Sequence, residues 1–295
     1  MMRIGNGMAV LGVGLLCSCA DAGQVLNVDA GQVLRVSDLQ SGVWDGESFS
    51  LNPSLVINLN DGGMLSAPGE IFGGWAGFNM FGATINVNAG GRMEGESNQT
   101  QSSSTILANS RVNLYDGGSI GNVLFRGNQS NYVNLYGGTS ELVNVDTDGL
   151  VQVIGGHHAG VAGFAQNSGS MLRTVITGGT IGSLSLRGAD TIELRGGAVE
   201  SIGAVGRYLE IYGSELVVDG VEFDLAYGES VLVNGSGLRF DLLSGVLEDG
   251  SAFEFDQFRD DVFIGATTLV TFHQVPGPAT VSVFGVMALM GRRRR

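Results

Sequence analysis

The chain contains no lysine, so its 15 basic residues are all arginines, and its two cysteines, Cys17 and Cys19, stand near the amino end. The remainder therefore has no thiol with which to form a disulfide or ligate zinc, and stability must come from packing. Positive charge is scarce: 29 acidic residues leave a net charge of -14. Such a surface repels phosphate backbones and argues against a nucleic-acid partner. The 49 glycines follow no G-X-Y period, which excludes collagen and points to many tight turns. Long apolar runs are missing too. The uncharged stretch Ala279 to Met290 would span about 20 Å as a helix at ~1.5 Å per residue, against a hydrocarbon core of roughly 30 Å. With 43% hydrophobic residues, the chain still has ample material for a core and is not of the disordered class.

What the chain does have is a repeat. An apolar–polar–apolar triplet followed by a turn, usually Gly-Gly, recurs between Ile57 and Ser214. It reads Ile57-Asn58-Leu59, Ile85-Asn86-Val87, Val112-Asn113-Leu114, Val133-Asn134-Leu135, Val151-Gln152-Val153, Thr174-Val175-Ile176, Ile192-Glu193-Leu194 and, more weakly, Leu209-Glu210-Ile211. Alternation marks each unit as a short strand with one buried face, and the glycines mark turns that need unusual backbone angles. Strands this short cannot each build a sheet, so the expected solution is one coil per repeat, stacked at ~4.8 Å: an all-β parallel β-solenoid, or β-helix. A second strand per coil follows the glycines, as in Ile120, Val123 and Leu124 or Ile181, Leu184 and Leu186.

Stacking places equivalent residues in columns. The first and third triplet positions point inward and form the core, each side chain contributing roughly 1.5–3 kcal/mol before entropy is subtracted. One outward column runs Asn58, Asn86, Asn113, Asn134 and Gln152, where stacked amides can bond from coil to coil. Another holds Asn60, Asn88, Tyr115, Tyr136 and Tyr212. The column reads first as a ladder that stabilises the stack, and second as a glycan face made by the tyrosines. Beyond about Val221 the strands lengthen, at Val231 to Val233, Leu238 to Leu243, Phe253 to Phe258 and Thr268 to Phe272, with a turn at Glu248-Asp249-Gly250. A solenoid end needs a cover, and this segment is placed to supply one.

The two ends read as addresses. Arg3, the apolar stretch Met8 to Leu16 and the small residues after it have the layout of a secretory signal peptide. Ala20-Asp21-Ala22 fits cleavage before Gly23, with Ala20 and Ala22 as the recognised residues. Leu16-Cys17-Ser18-Cys19 offers a competing lipoprotein box ending at Cys19. At the other end, Val275-Pro276-Gly277-Pro278 precedes the apolar run, which is closed by Arg292, Arg293, Arg294 and Arg295. A basic block of this kind stays on the cytoplasmic side of a membrane. The arrangement resembles the PEP-CTERM sorting signal of Gram-negative bacteria in its looser Val-Pro-Xaa-Pro form, with Gly277 where glutamate is usual. The resemblance implies a short transmembrane helix, processing by an exosortase-type enzyme and transient residence in the inner membrane.

Residues with potential for chemistry all lie within or beside these repeats. Gly117-Gly118-Ser119-Ile120-Gly121 matches the G-x-S-x-G elbow of serine hydrolases, but no helix follows and the repeat sets Ser119 beside Thr139, Thr180 and Ala198. His157 and His158 are adjacent in a glycine-rich turn and read as a solvated loop; His273 lies near the sorting motif. Asp61, Asp116, Asp146 and Asp148 are scattered acids without the nonapeptide of calcium-binding β-rolls, so neither a metal nor another cofactor is expected. Arg173, Arg187, Arg195 and Arg207 with Glu193 and Glu210 are the material for a polysaccharide lyase or hydrolase, or for ion pairs between repeats. The expected organisation is a signal peptide (1–22), an amino-terminal β cap (23–56), the solenoid (57–220), a β-rich cap (221–274) and the sorting tail (275–295). The expected role is that of an exported, non-enzymatic structural or adhesive protein of the cell surface or matrix. The alternative is a secreted protein that binds or degrades polysaccharide, and extracellular polysaccharide is the candidate partner.

Overall fold

The computed structural model describes residues 23–277, apart from 50–53, 68–79, 82, 96–104, 109, 126–130, 146–147, 165–171, 188–190, 206, 236, 260–261 and 266. The signal helix, Ala20, Ala22, Cys17 and Cys19, and the tail from Pro278 through the arginines therefore lie outside the described residues, as do Asp146 and the polar stretch Glu96 to Ser104. Among the described residues no helix is long and apolar enough to cross a membrane.

Among the described residues the fold is all-β, mostly parallel and solenoid-like, with one short helix at Val36–Ser41. Its first face is a stack of ten parallel strands, one per coil. Coils 1 to 6 contribute Val25–Val28, Val56–Leu59, Thr84–Val87, Arg111–Leu114, Asn131–Leu135 and Gly149–Val153. Coils 7 to 9 contribute the starts of the long strands Leu172–Arg187, Thr191–Val205 and Tyr208–Val218, and coil 10 contributes Leu269–Gln274. The register is in phase, so every triplet position stacks on its counterpart.

The inward columns read from the sequence are all buried. Ile57, Ile85, Val112, Val133, Val151, Ile192 and Leu209 form one, and Leu59, Val87, Leu114, Leu135, Val153, Ile176, Leu194 and Ile211 the other. Thr174 fills the gap in the first column and is fully buried, with its hydroxyl unpartnered. After the turn each coil continues into a second parallel stack, in which Ser119, Thr139, His157, Thr180 and Ala198 are in register. Pairing skips Gly121, Glu141, Ala159 and Gly182, and this skipped position is a corner. It shifts the inward parity, so Ile120 and Val123, or Ile181 and Leu184, both face the core three residues apart.

The stack is longer than the repeat at both ends. Val25–Val28 pairs in register with Val56–Leu59, so coil 1 lies within the segment assigned to an amino-terminal cap, which is smaller than expected. Leu39, Phe49 and Trp44 in the helix and the hairpin after it pack against the core there. At the other end, Leu269–Gln274 pairs in parallel with Tyr208–Gly213 and buries Val270 and Phe272 in the inward columns, so it is a coil rather than cap. Ser230–Asn234 then pairs antiparallel with that last strand and covers its edge. The expected turn at Glu248-Asp249-Gly250 joins the antiparallel strands Leu242–Leu247 and Ala252–Asp256. The strand expected over Leu238 to Leu243 starts later, at Leu242, because Asp219 turns back and accepts the amides of Asp241 and Leu242 with its carboxylate.

Candidate ligand-binding surfaces

The outward columns of the first face change character along the axis. In the early coils they are amide ladders: Asn58, Asn86, Asn113 and Asn134 each donate Nδ2–H to the Oδ1 of the asparagine one coil before, starting from Asn27, over 2.8–2.9 Å. A second ladder runs Asp29, Asn60, Asn88. In-register parallel stacking creates both, since each amide finds an identical partner one strand spacing away.

Tyr115 and Tyr136 continue the second ladder as a stacked pair, 5.3 Å between centroids and 11° between planes. Both are partly exposed, but a ring stacked along the solenoid axis turns its faces toward column neighbours and its edge toward solvent. Sugars lie on aromatic faces, so this geometry favours the ladder reading over the glycan-face reading. Tyr212 does not join them. It lies four coils further on, with the Arg195 guanidinium 3.6 Å above one face and the His273 ring stacked 4.5 Å away. Burial and the nearby Glu193 carboxylate push the Tyr212 hydroxyl up, while Arg195 opposes them.

Four of the six charged residues considered for catalysis, Arg173, Arg195, Glu193 and Glu210, lie in this same region. Glu193 is held by Arg173 (2.6 Å) and Arg195 (3.4 Å), and Arg195 also reaches Glu248 of the cap at 3.1 Å. Glu210 bonds His273. Glu193 and Glu210 are directly opposed on adjacent coils, so their backbones are ~4.8 Å apart. Glu193 is committed to two guanidinium groups and Glu210 to a ring nitrogen of His273, which makes the group a bolt between coils and cap. Arg207 is exposed and bonds the last coil through its carbonyl; the side chain of Arg187 lies outside the description. Asp249 adds a second bolt. Burial alone would raise its carboxyl, but hydrogen bonds from the Ser251 hydroxyl and amide and from the Gly197 amide hold it below the usual carboxylate range.

His158 corrects the solvated-loop reading. His157 is exposed, but His158 points into the lumen and is 2% exposed. The corner parity accounts for this, because His158 occupies the inward column of Ile120 and Ile181. A carbonyl only accepts, so Nε2–H donates to Gly155 O at 2.7 Å, and Nδ1 accepts from the Ser140 hydroxyl at 2.9 Å in the neutral ring. Burial pushes the His158 pKa below 6.5; the Gly155 bond opposes this and neighbouring His157 adds to it. Among the described residues no group of three or more His, Cys, Asp or Glu could hold a metal ion.

A recess on the turn side has a volume of about 550 Å³ and crosses four coils. Its lining includes Arg92, Ser119, Thr139 and His157, which stack in register from coil to coil, together with Asp116 and turn glycines. Ser119 has no helix behind it and sits in a column with Thr139 and Thr180, so the hydrolase elbow is not built. No family model, curated protein or solved structure matches the chain.

Proposed function

We infer that the chain is an exported, non-catalytic structural or adhesive element of the cell surface or extracellular matrix, sorted by an exosortase-type enzyme. The observation that carries this reading is the set of coil-to-coil ladders. The outward polar positions are spent on holding the stack together, through amides in the early coils and ion pairs in the late ones. A stack so cross-linked without disulfides suits a rigid exported element. The Val275 amide donates to Gly213 O, so the sorting motif begins at a residue still bonded to the stack. Processing near Pro278 would therefore release the body intact, with only a short stub. A second reading, a secreted polysaccharide-binding or polysaccharide-degrading protein, is kept by the polar recess on the turn side.

The test is the mass of the chain recovered from the cell exterior. The account expects a product that begins at Gly23 and ends close to Pro278. Recovery of the unprocessed chain from the cytoplasm alone would overturn it.

A further inference from the structure

The recess spans the place where the turn changes length along the stack. In coils 2 to 4 the turn has four residues, Asn60–Gly63, Asn88–Gly91 and Tyr115–Gly118. In coils 5 to 8 it has three: Tyr136–Gly138, Ile154–Gly156, Thr177–Gly179 and Arg195–Gly197. Register is kept across the change, since Ser119 still pairs with Thr139. At the first shortened turn the backbones pack closely: a Cβ on Gly137 would meet the Asp116 backbone at 2.9 Å, and one on Gly138, which lines the recess, the Gly118 carbonyl at 2.4 Å. Turn amides such as those of Gly90 and Gly118 are already bonded to backbone carbonyls, so recognition falls to the side chains.

We propose that this recess binds a neutral, hydroxyl-rich glycan chain running parallel to the solenoid axis. The proposal rests on the surface or matrix role inferred above and moves the glycan site away from the tyrosine ladder. Arg92, Ser119, Thr139 and His157 follow one another in a column along the recess, and the exposed Asp116 adds an acceptor to its lining. The set mixes donors and acceptors, as a polyol requires. One such side chain recurs per coil, every ~4.8 Å, close to the length of one pyranose unit. A chain net charge of -14 disfavours an anionic polymer.

The test is affinity electrophoresis of the full chain through gels containing dextran, galactomannan or hydroxyethyl cellulose, with alginate as the anionic probe. The expected result is retardation by at least one neutral polymer and none by alginate. Ser119→Ala/Thr139→Ala should weaken it about tenfold, the loss expected for two hydrogen bonds. Tyr115→Ala should leave it unchanged, with far-UV circular dichroism checking that both variants fold. Failure of every neutral polymer to retard the wild type, preference for alginate, or loss with Tyr115→Ala but not with the groove variant would overturn the proposal. Finding the processed chain outside the cell with no retardation would defeat this inference alone. Retardation of a chain found only in the cytoplasm would defeat the surface reading and leave the groove standing.

Discussion

Coils 1 to 5 and coils 7 to 10 bury the same kind of residue in the same columns, yet hold their outer faces by different chemistry. The early half uses neutral amides, each donating to the coil before it. The late half uses Arg173, Glu193, Arg195, Glu248, Glu210 and His273, with Tyr212 clamped between two cationic or aromatic neighbours. The difference follows from what each half must join. An early coil meets only a sequence-equivalent neighbour, so identical side chains suffice. The late coils must hold a strand, Leu269–Gln274, that returns after a long excursion, and a cap hairpin of unrelated sequence. Opposite charges can join unlike partners where an amide ladder cannot.

The largest effect is expected at the junction of the two halves. Gly138 has φ +67° and no room for a Cβ, so Gly138→Val should cost about 3–5 kcal/mol in urea unfolding. A cost below 1 kcal/mol would mean that the turn is not as tight as described. Leu135→Ala and Ile211→Ala should each cost about 2–5 kcal/mol, alike in the two halves, since both side chains are fully buried. A large disparity between them would show that the halves differ in core as well as surface.

The surface variants separate the halves. Asn113→Ala removes two ladder bonds at a buried position and should cost about 1–3 kcal/mol, with little change in 1 M salt. Glu193→Gln should cost about 1–2 kcal/mol, discounted because Arg173 is well exposed, and the loss should shrink in salt. Equal salt sensitivity would collapse the distinction. Thr174→Val, which replaces an unpartnered buried hydroxyl with a methyl, should stabilise by about 1–2 kcal/mol. The smallest effect is acid sensitivity at coil 6. The unfolded chain takes up a proton on His158 near pH 6.5 that the folded chain refuses. Stability therefore falls as pH drops through 6.5 and levels off below the depressed folded value. Ser140→Ala/His158→Leu should flatten that part of the stability–pH curve, and an unchanged slope would remove His158 as its source.

The core was legible in the sequence because a period-two triplet declares its buried face wherever it recurs. Coil 1 was missed because Val25-Leu26-Asn27-Val28 is followed by Ala30-Gly31-Gln32 instead of a glycine pair. Coil 10 was missed because it lies so far from coil 9 in sequence, although Val270-Thr271-Phe272 carries the same alternation as Leu209-Glu210-Ile211. His158 was misread because the corner residue shifts parity, something the strand pattern alone does not announce. Aligning His158 with Ile120 and Ile181 was the available signal. The stacking of Tyr212 on His273 depends on the returning strand and has no local trace. The step in turn length is visible, by contrast, at Tyr136-Gly137-Gly138, where one residue is dropped.

The claim at the centre of this account is that the solenoid is a holding element and not a catalyst. Its most direct test is prolonged incubation of the purified full chain with neutral and acidic polysaccharides, followed by measurement of new reducing ends and unsaturated ends. The account predicts saturable binding to a neutral polymer with neither kind of end produced. Time-dependent formation of either, proportional to protein concentration, would contradict it.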